Sequence, residues 1–115
     1  MIVYGIKNCK TVKTALDWLR SHDVEFEFHD YKTKGVTREK LKSWINQTGW
    51  ESLVNKKGTT WRQLPDDTKS NVTSEPTAIK LMMEKTSVIK RPLLEKDEKV
   101  VAFGFDEKEY LRIFS

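Results

Sequence analysis

The stretch Ile2-Val3-Tyr4-Gly5-Ile6-Lys7-Asn8-Cys9-Lys10-Thr11-Val12-Lys13-Thr14-Ala15-Leu16-Asp17-Trp18-Leu19 changes its hydrophobic period once, and the change falls at Cys9. Upstream, Ile2-Val3-Tyr4 is a β-branched and aromatic run closed by Gly5, which suits a buried strand. Downstream, Val12, Ala15, Leu16 and Leu19 recur at the spacing of one helix face, while Lys10, Lys13, Asp17 and Arg20 take the other. The chain therefore opens strand, turn, helix, and its single cysteine stands where the helix begins.

Working outward, Val24, Phe26 and Phe28 alternate with Glu25, Glu27 and His29, the period of a strand with one face on a core. A β-α-β opening with short connections favours a parallel pair. Thr37 is a good N-cap, Val36 can staple to Leu41, and Gly49 is placed to end a helix carrying Leu41, Trp44 and Ile45. Residues 50 to 70 read as short helical pieces and turns around Trp50, Leu53, Val54, Trp61 and Leu64. Thr73 or Ser74 caps a further helix with Ala78, Leu81 and Met82. Val88-Ile89 and Pro92-Leu93-Leu94 lead through Lys96-Asp97-Glu98-Lys99 into Val100-Val101-Ala102-Phe103, a hairpin signal. Asp106 with Glu109 opens a last helix, with Phe105 stapled to Tyr110. The order describes an α/β chain: one mixed sheet flanked by helices, thioredoxin-like, with a helical insertion at about residues 37 to 70.

A chain of 115 residues, 37% hydrophobic and 33% charged, is expected to fold as a single domain over residues 1 to 115 without disulfides or metals. Met1-Ile2-Val3-Tyr4 lacks the pattern of a secretory signal, and no apolar run approaches the ~18 residues of a membrane span. A cytoplasmic protein with no membrane partner is the expectation. The net charge of +4 is spread among 17 acidic residues, without a basic stripe or binding motif, which argues against nucleic acid. One cysteine and two histidines, His22 and His29, do not make a zinc site, and both histidines read as surface residues.

Cys9 carries the chemistry. At a helix N-terminus, unpaired backbone N–H groups and the positive end of the helix dipole favour thiolate over thiol, and Lys7, Lys10 and Lys13 add positive charge. The alternative reading is a small buried hydrophobe. Position 12 is Val, so the two-cysteine redox motif is absent, and a disulfide formed at Cys9 would have to be released by an external thiol, with glutathione as the obvious candidate.

Tyr4-Gly5-Ile6-Lys7-Asn8-Cys9 followed by Thr11-Val12-Lys13, and later Ile89-Lys90-Arg91-Pro92, resemble the arsenate-reductase (ArsC) family in its YffB-like branch. Phe28-His29-Asp30-Tyr31, Gly58-Thr59-Thr60-Trp61-Arg62 and Gly104-Phe105-Asp106-Glu107 extend the resemblance along nearly the whole chain. It implies a thioredoxin-like fold, Cys9 as nucleophile, and Arg91 beside it before a cis Pro92. Asn8, Lys10, Thr11, Arg62, Arg91 and Pro92 become the expected substrate- or glutathione-binding set. Arg91 can stabilise a thiolate and grip an oxyanion or a carboxylate through two hydrogen bonds. Arsenate reductases of this family use three arginines. Here Asn55 stands in Leu53-Val54-Asn55-Lys56 where one is expected, and the region near Gly104 has none, which argues against efficient arsenate binding.

Three functions follow as expectations. The first is a glutathione-dependent monothiol reductase, with glutathione as co-substrate, no metal, and glutaredoxin as a candidate partner. The second is an arsenate reductase. The third, implied by the related Spx regulators, is a non-enzymatic adaptor that binds RNA polymerase.

Overall fold

The computed structural model describes residues 1 to 114, which fall into two compact units: Met1–Lys34 with the chain from Arg91 onward, and Gly35–Lys90. In the first unit, β1 (Ile2–Gly5), β2 (Glu27–Asp30), β3 (Leu93–Lys96) and β4 (Lys99–Phe103) form one sheet in the order β2-β1-β3-β4. β1 and β2 are parallel, as the opening predicts, while β3 runs antiparallel to both β1 and β4. The mixed sheet and its flanking helices have the expected thioredoxin-like character.

α1 (Lys10–Ser21) and α8 (Glu107–Phe114) bury one sheet face in a core of Val3, Leu94, Ala15, Leu19, Trp18 and Tyr110. The helical period that predicts α1 is the one that builds this core, and each fully buried aliphatic side chain contributes about 1.5–3 kcal/mol. Trp18 joins the apolar face because its indole N–H is satisfied: Nε1 donates to Glu107 Oε2 at 3.2 Å while the ring meets Tyr110 edge-on at 5.4 Å. The α8 cap forms as read, with Asp106 Oδ1 accepting from the Lys108 and Glu109 amides at 3.0 and 3.3 Å. Phe105 packs on Tyr110 with ring centroids 5.0 Å apart.

β2 begins later than its alternation predicts. Its first pair is Glu27 with Ile2, and the Glu27 amide donates to the Met1 carbonyl at 2.9 Å. At the β3–β4 hairpin the two turn residues, Asp97 and Glu98, both adopt the left-handed conformation, at φ 52° and 64°.

The second unit is helical and extends beyond residues 37 to 70. It holds α3 (Arg38–Thr48), α4 (Trp50–Leu53), α5 (Thr59–Arg62), α6 (Asp66–Ser70) and α7 (Glu75–Glu84). Thr37 Oγ1 accepts from the Lys40 amide at 3.1 Å, and Gly49 ends α3 at φ 84° and ψ 152°, a region closed to other residues. At α7 it is Ser74 that caps, its amide donating to Thr77 Oγ1 at 3.1 Å. Val88-Ile89 contributes a single antiparallel bridge, Ile89 with Val54. Backbone bonds of 2.7 Å from Asn55 N to Val88 O and from Lys90 N to Leu53 O fasten that bridge.

No described helix is long and apolar enough to cross a membrane.

Candidate functional site

Cys9 is the N-cap of α1, with extended backbone at φ −105° and ψ 122°, and its carbonyl accepts the first helical bond from Lys13 N at 3.0 Å. Its side chain does not cap the helix, so the half-exposed sulfur is left for other chemistry. The strand-to-helix change at Cys9 is therefore real, and the reading as a buried hydrophobe does not describe this half-exposed residue. The Cys9 amide turns back on the Ile6 carbonyl at 3.3 Å, which seats the cysteine one tight turn above the end of β1.

Strand register then decides what surrounds that turn. Asp30 lies opposite Gly5 at the end of the parallel pair, and the next residue, Tyr31, opens the short helix α2 (Tyr31–Lys34) at that end of the sheet. Leu93 lies opposite Tyr4 at the end of the antiparallel pair, so Pro92 and Arg91, just before it, leave the same end of the sheet on the other side of β1. Arg91 and Tyr31 therefore leave the same end of the sheet on either side of β1, the strand whose end leads into the cysteine turn. The Arg91–Pro92 peptide is cis, and the Pro92 carbonyl accepts from Gly104 N at 2.8 Å. Arg91 is half-buried.

The other expected binding residues divide by unit. Asn8, Lys10 and Thr11 are exposed around Cys9, and Lys7 and Lys13 are exposed with them. Arg62 is an exposed residue of α5 in the helical unit, where its carbonyl accepts from Lys69 Nζ at 2.9 Å. Asn55 is occupied locally: its Oδ1 accepts from the Lys57 amide at 3.2 Å. Lys56 Nζ lies over the rings of Trp50 and Trp61, at 5.8 and 5.4 Å from their centroids.

A polar group that sequence reasoning passed over lies on the sheet face opposite the α1–α8 core. Tyr4 Oη donates to Glu95 Oε1 at 3.0 Å, and Glu95 is only 3% exposed. The Tyr31 ring stacks on Tyr4 at 6.1 Å, and His29 contacts both, at 4.8 Å from Tyr4 and 6.0 Å from Tyr31. His29 is thus half-buried in an aromatic cluster, unlike exposed His22, which corrects its reading as a surface residue: it shares the Tyr4 face by register. Burial pushes the Tyr4 phenol far above the ordinary tyrosine range, and the Glu95 charge adds to it. Burial does the same to Tyr31, where Tyr4 and Glu95 raise it further and Arg91 opposes. The one legible signal is Glu95, a carboxylate directly after the apolar run Leu93-Leu94. Among the described residues no group of three or more His, Cys, Asp or Glu is arranged to hold a metal.

Comparison with known proteins follows the same residues. The sequence model of the ArsC family matches residues 4–113. An uncharacterized protein of Haemophilus influenzae is 44% identical over 113 residues, 98% of this chain and 97% of that one. The global transcriptional regulator Spx of Lactiplantibacillus plantarum is 26% identical over 114 residues, covering 97% of this chain and 84% of the regulator. Among solved structures, a YFFB protein superposes with a TM-score of 0.91 at 40% identity, covering 99% of this chain and 98% of its own. An arsenate reductase related protein from Brucella melitensis gives a TM-score of 0.78 at 43% identity, over 98% and 92% of the two chains.

Proposed function

Because the chain belongs to the ArsC family and has its arsenate-reductase-like fold, we propose that it is a monothiol reductase that uses glutathione as its second thiol. The observation that carries the reading is a half-exposed cysteine at the start of α1 in a chain with no second cysteine, with Val12 where a resolving thiol would sit. Val12 is 1% exposed and packed, so no rearrangement of that position supplies a substitute.

The reaction runs in two exchanges. The Cys9 thiolate attacks one sulfur of a disulfide substrate, forming a Cys9–substrate disulfide and expelling the other sulfur as a thiolate, which takes a proton from solvent. A glutathione thiolate then attacks the substrate sulfur of that mixed disulfide, restoring the Cys9 thiolate and leaving a substrate–glutathione disulfide. A second glutathione reduces the latter to the free substrate thiol and oxidised glutathione, so two electrons pass from two glutathiones to one disulfide. Arg91 supports these steps by holding an anionic group of substrate or glutathione at the sheet edge beside Cys9, where a guanidinium gives paired, charge-assisted hydrogen bonds.

The test is direct. Incubating the protein with oxidised glutathione is expected to give one glutathione adduct per chain by mass spectrometry, on Cys9 by peptide mapping, and reversed by reduced glutathione. Absence of the adduct, or the same turnover of a disulfide substrate by Cys9→Ser, would reject the proposal.

The regulator relatives favour a second reading, that of an adaptor binding RNA polymerase. Retention of polymerase by immobilised protein, undiminished in Cys9→Ser, supports it over catalysis. Arsenate reduction is the third reading, and calorimetric titration showing no arsenate binding at millimolar concentration removes it.

A further inference from the structure

The Tyr31 side chain ends in a hydroxyl that is sealed from solvent and finds no hydrogen-bond partner within the described chain. A buried hydroxyl without a partner costs about 1–3 kcal/mol, and native structures rarely leave one. Tyr4 stands in contrast: its ring stacks on Tyr31, yet its own hydroxyl is satisfied by Glu95. Tyr31 is also at a particular place: it follows β2 where Arg91 precedes β3, so the two leave the same end of the sheet on either side of β1, the strand that leads into the cysteine turn. The Arg91 charge reaches the Tyr31 phenol, and burial keeps that phenol protonated throughout the neutral range, so it is a permanent donor.

Resting on the reading of Arg91 as the holder of an anionic group, we propose that Tyr31 is a second binding residue of that site: its hydroxyl donates to the same carboxylate or tetrahedral oxyanion that Arg91 grips. The two residues' backbones leave the sheet on opposite sides of β1, the strand that leads into the Cys9 turn. The hydroxyl is closed over in the chain alone, so the bond forms as the ligand engages Arg91 and the guanidinium shifts toward it. Glutathione supplies the carboxylate under one source and arsenate the oxyanion under the other, and both present an acceptor to a donor that the fold leaves over.

Tyr31→Phe removes only the oxygen and gives two readouts of different sign. The thermal midpoint of the protein alone is expected to hold or rise, because the variant deletes an unsatisfied group. Affinity, measured by calorimetry with S-methylglutathione and separately with arsenate, is expected to fall about tenfold for each probe that Arg91 holds. Loss with S-methylglutathione alone assigns the carboxylate, and loss with arsenate alone assigns the oxyanion. Tyr110→Phe is the comparison: its hydroxyl donates to the Gly104 carbonyl at 2.5 Å, so that variant lowers the midpoint and leaves affinity alone. If Tyr31→Phe binds both probes as the wild type does, the proposal is overturned and the reductase reading stands. It is overturned equally if the midpoint and affinity fall together, which marks a structural hydroxyl. If the wild type binds neither probe, the reading of Arg91 fails and this inference fails with it.

Discussion

Raising the pH above about 10 is expected to unfold this protein in one step, with its tyrosines ionising only as it does so. The chain has three tyrosines, and all three phenols are pushed up by burial, each beyond the range in which an exposed tyrosine titrates. Their exposures are 4% for Tyr4, 1% for Tyr31 and 0% for Tyr110. In the unfolded chain each loses its proton near pH ~10, while the native state keeps it. The native state then binds more protons than the unfolded one, so stability is fully present below pH ~10 and declines as pH rises toward the native values. Each phenol contributes a slope of about 1.4 kcal/mol per pH unit, and the three together roughly 4. Against a total stability of about 5–15 kcal/mol, the midpoint falls roughly 1.2 units above pH 10 for the low end of that range and higher for the upper end. The assay is parallel far-ultraviolet circular dichroism and tyrosinate absorbance near ~295 nm across a pH jump series. Coincident transitions are expected, and Tyr110→Phe should reduce the slope of stability with pH by about a third. Tyrosinate absorbance that rises near pH ~10 while the dichroism stays native would refute the reasoning, because it would mean the phenols are not held.

Gly49→Ala should destabilise the helical unit by about 1–3 kcal/mol, since φ 84° with ψ 152° is available to glycine alone while an added Cβ meets nothing within 4 Å, so the cost is backbone strain. Denaturant titration checks it. Gly5→Ala should cost about 1–3 kcal/mol for the opposite reason: its Cβ would stand 2.9 Å from Val12 Cγ2, and Val12→Ala in the same chain should recover part of the loss. Asp106→Ala removes an acceptor shared by two amides at the start of α8 and should cost about 1 kcal/mol by the same titration. Val12→Cys restores the two-cysteine spacing, and the oxidised variant should run as an internal disulfide on non-reducing peptide maps, with the Cys9–glutathione adduct shortened in life.

Period and caps carried most of the fold. Val12, Ala15 and Leu19 announce α1, Thr37 and Gly49 bound α3, and Asp106 with Phe105 opens α8, because in each case the local chemistry and the final packing ask for the same residue. The start of β2 was less legible, since where a strand begins depends on how far its neighbour extends. Residues 50 to 70 were read only as short pieces, and they are short pieces, held by single contacts such as the Ile89–Val54 bridge that no periodicity encodes. At the site, Cys9 was visible from the change of period, but Tyr31 was not. A tyrosine after a strand looks like any aromatic, and only its burial with a hydroxyl left over distinguishes it. Arg91 needed the family resemblance, because one arginine among 21 basic residues has no signature of its own.

The register that brings Arg91 to the Cys9 end of the sheet also fixes when during synthesis the two can meet. Cys9 depends on β1 and α1, both complete by Ser21, and β2 follows at Glu27–Asp30. Arg91 takes its place only through β3, whose pairing of Ile2 with Glu95 joins an early segment of the chain to a late one. Between them the chain makes a unit of its own, Gly35–Lys90, whose backbone bonds from Asn55 to Val88 and from Lys90 to Leu53 draw distant segments together before the return. A nascent chain leaving the ribosome therefore carries Cys9 well before it carries Arg91, the cation proposed to act beside it. The proposed site is thus assembled from an early half and a late half, and the late half arrives with β3.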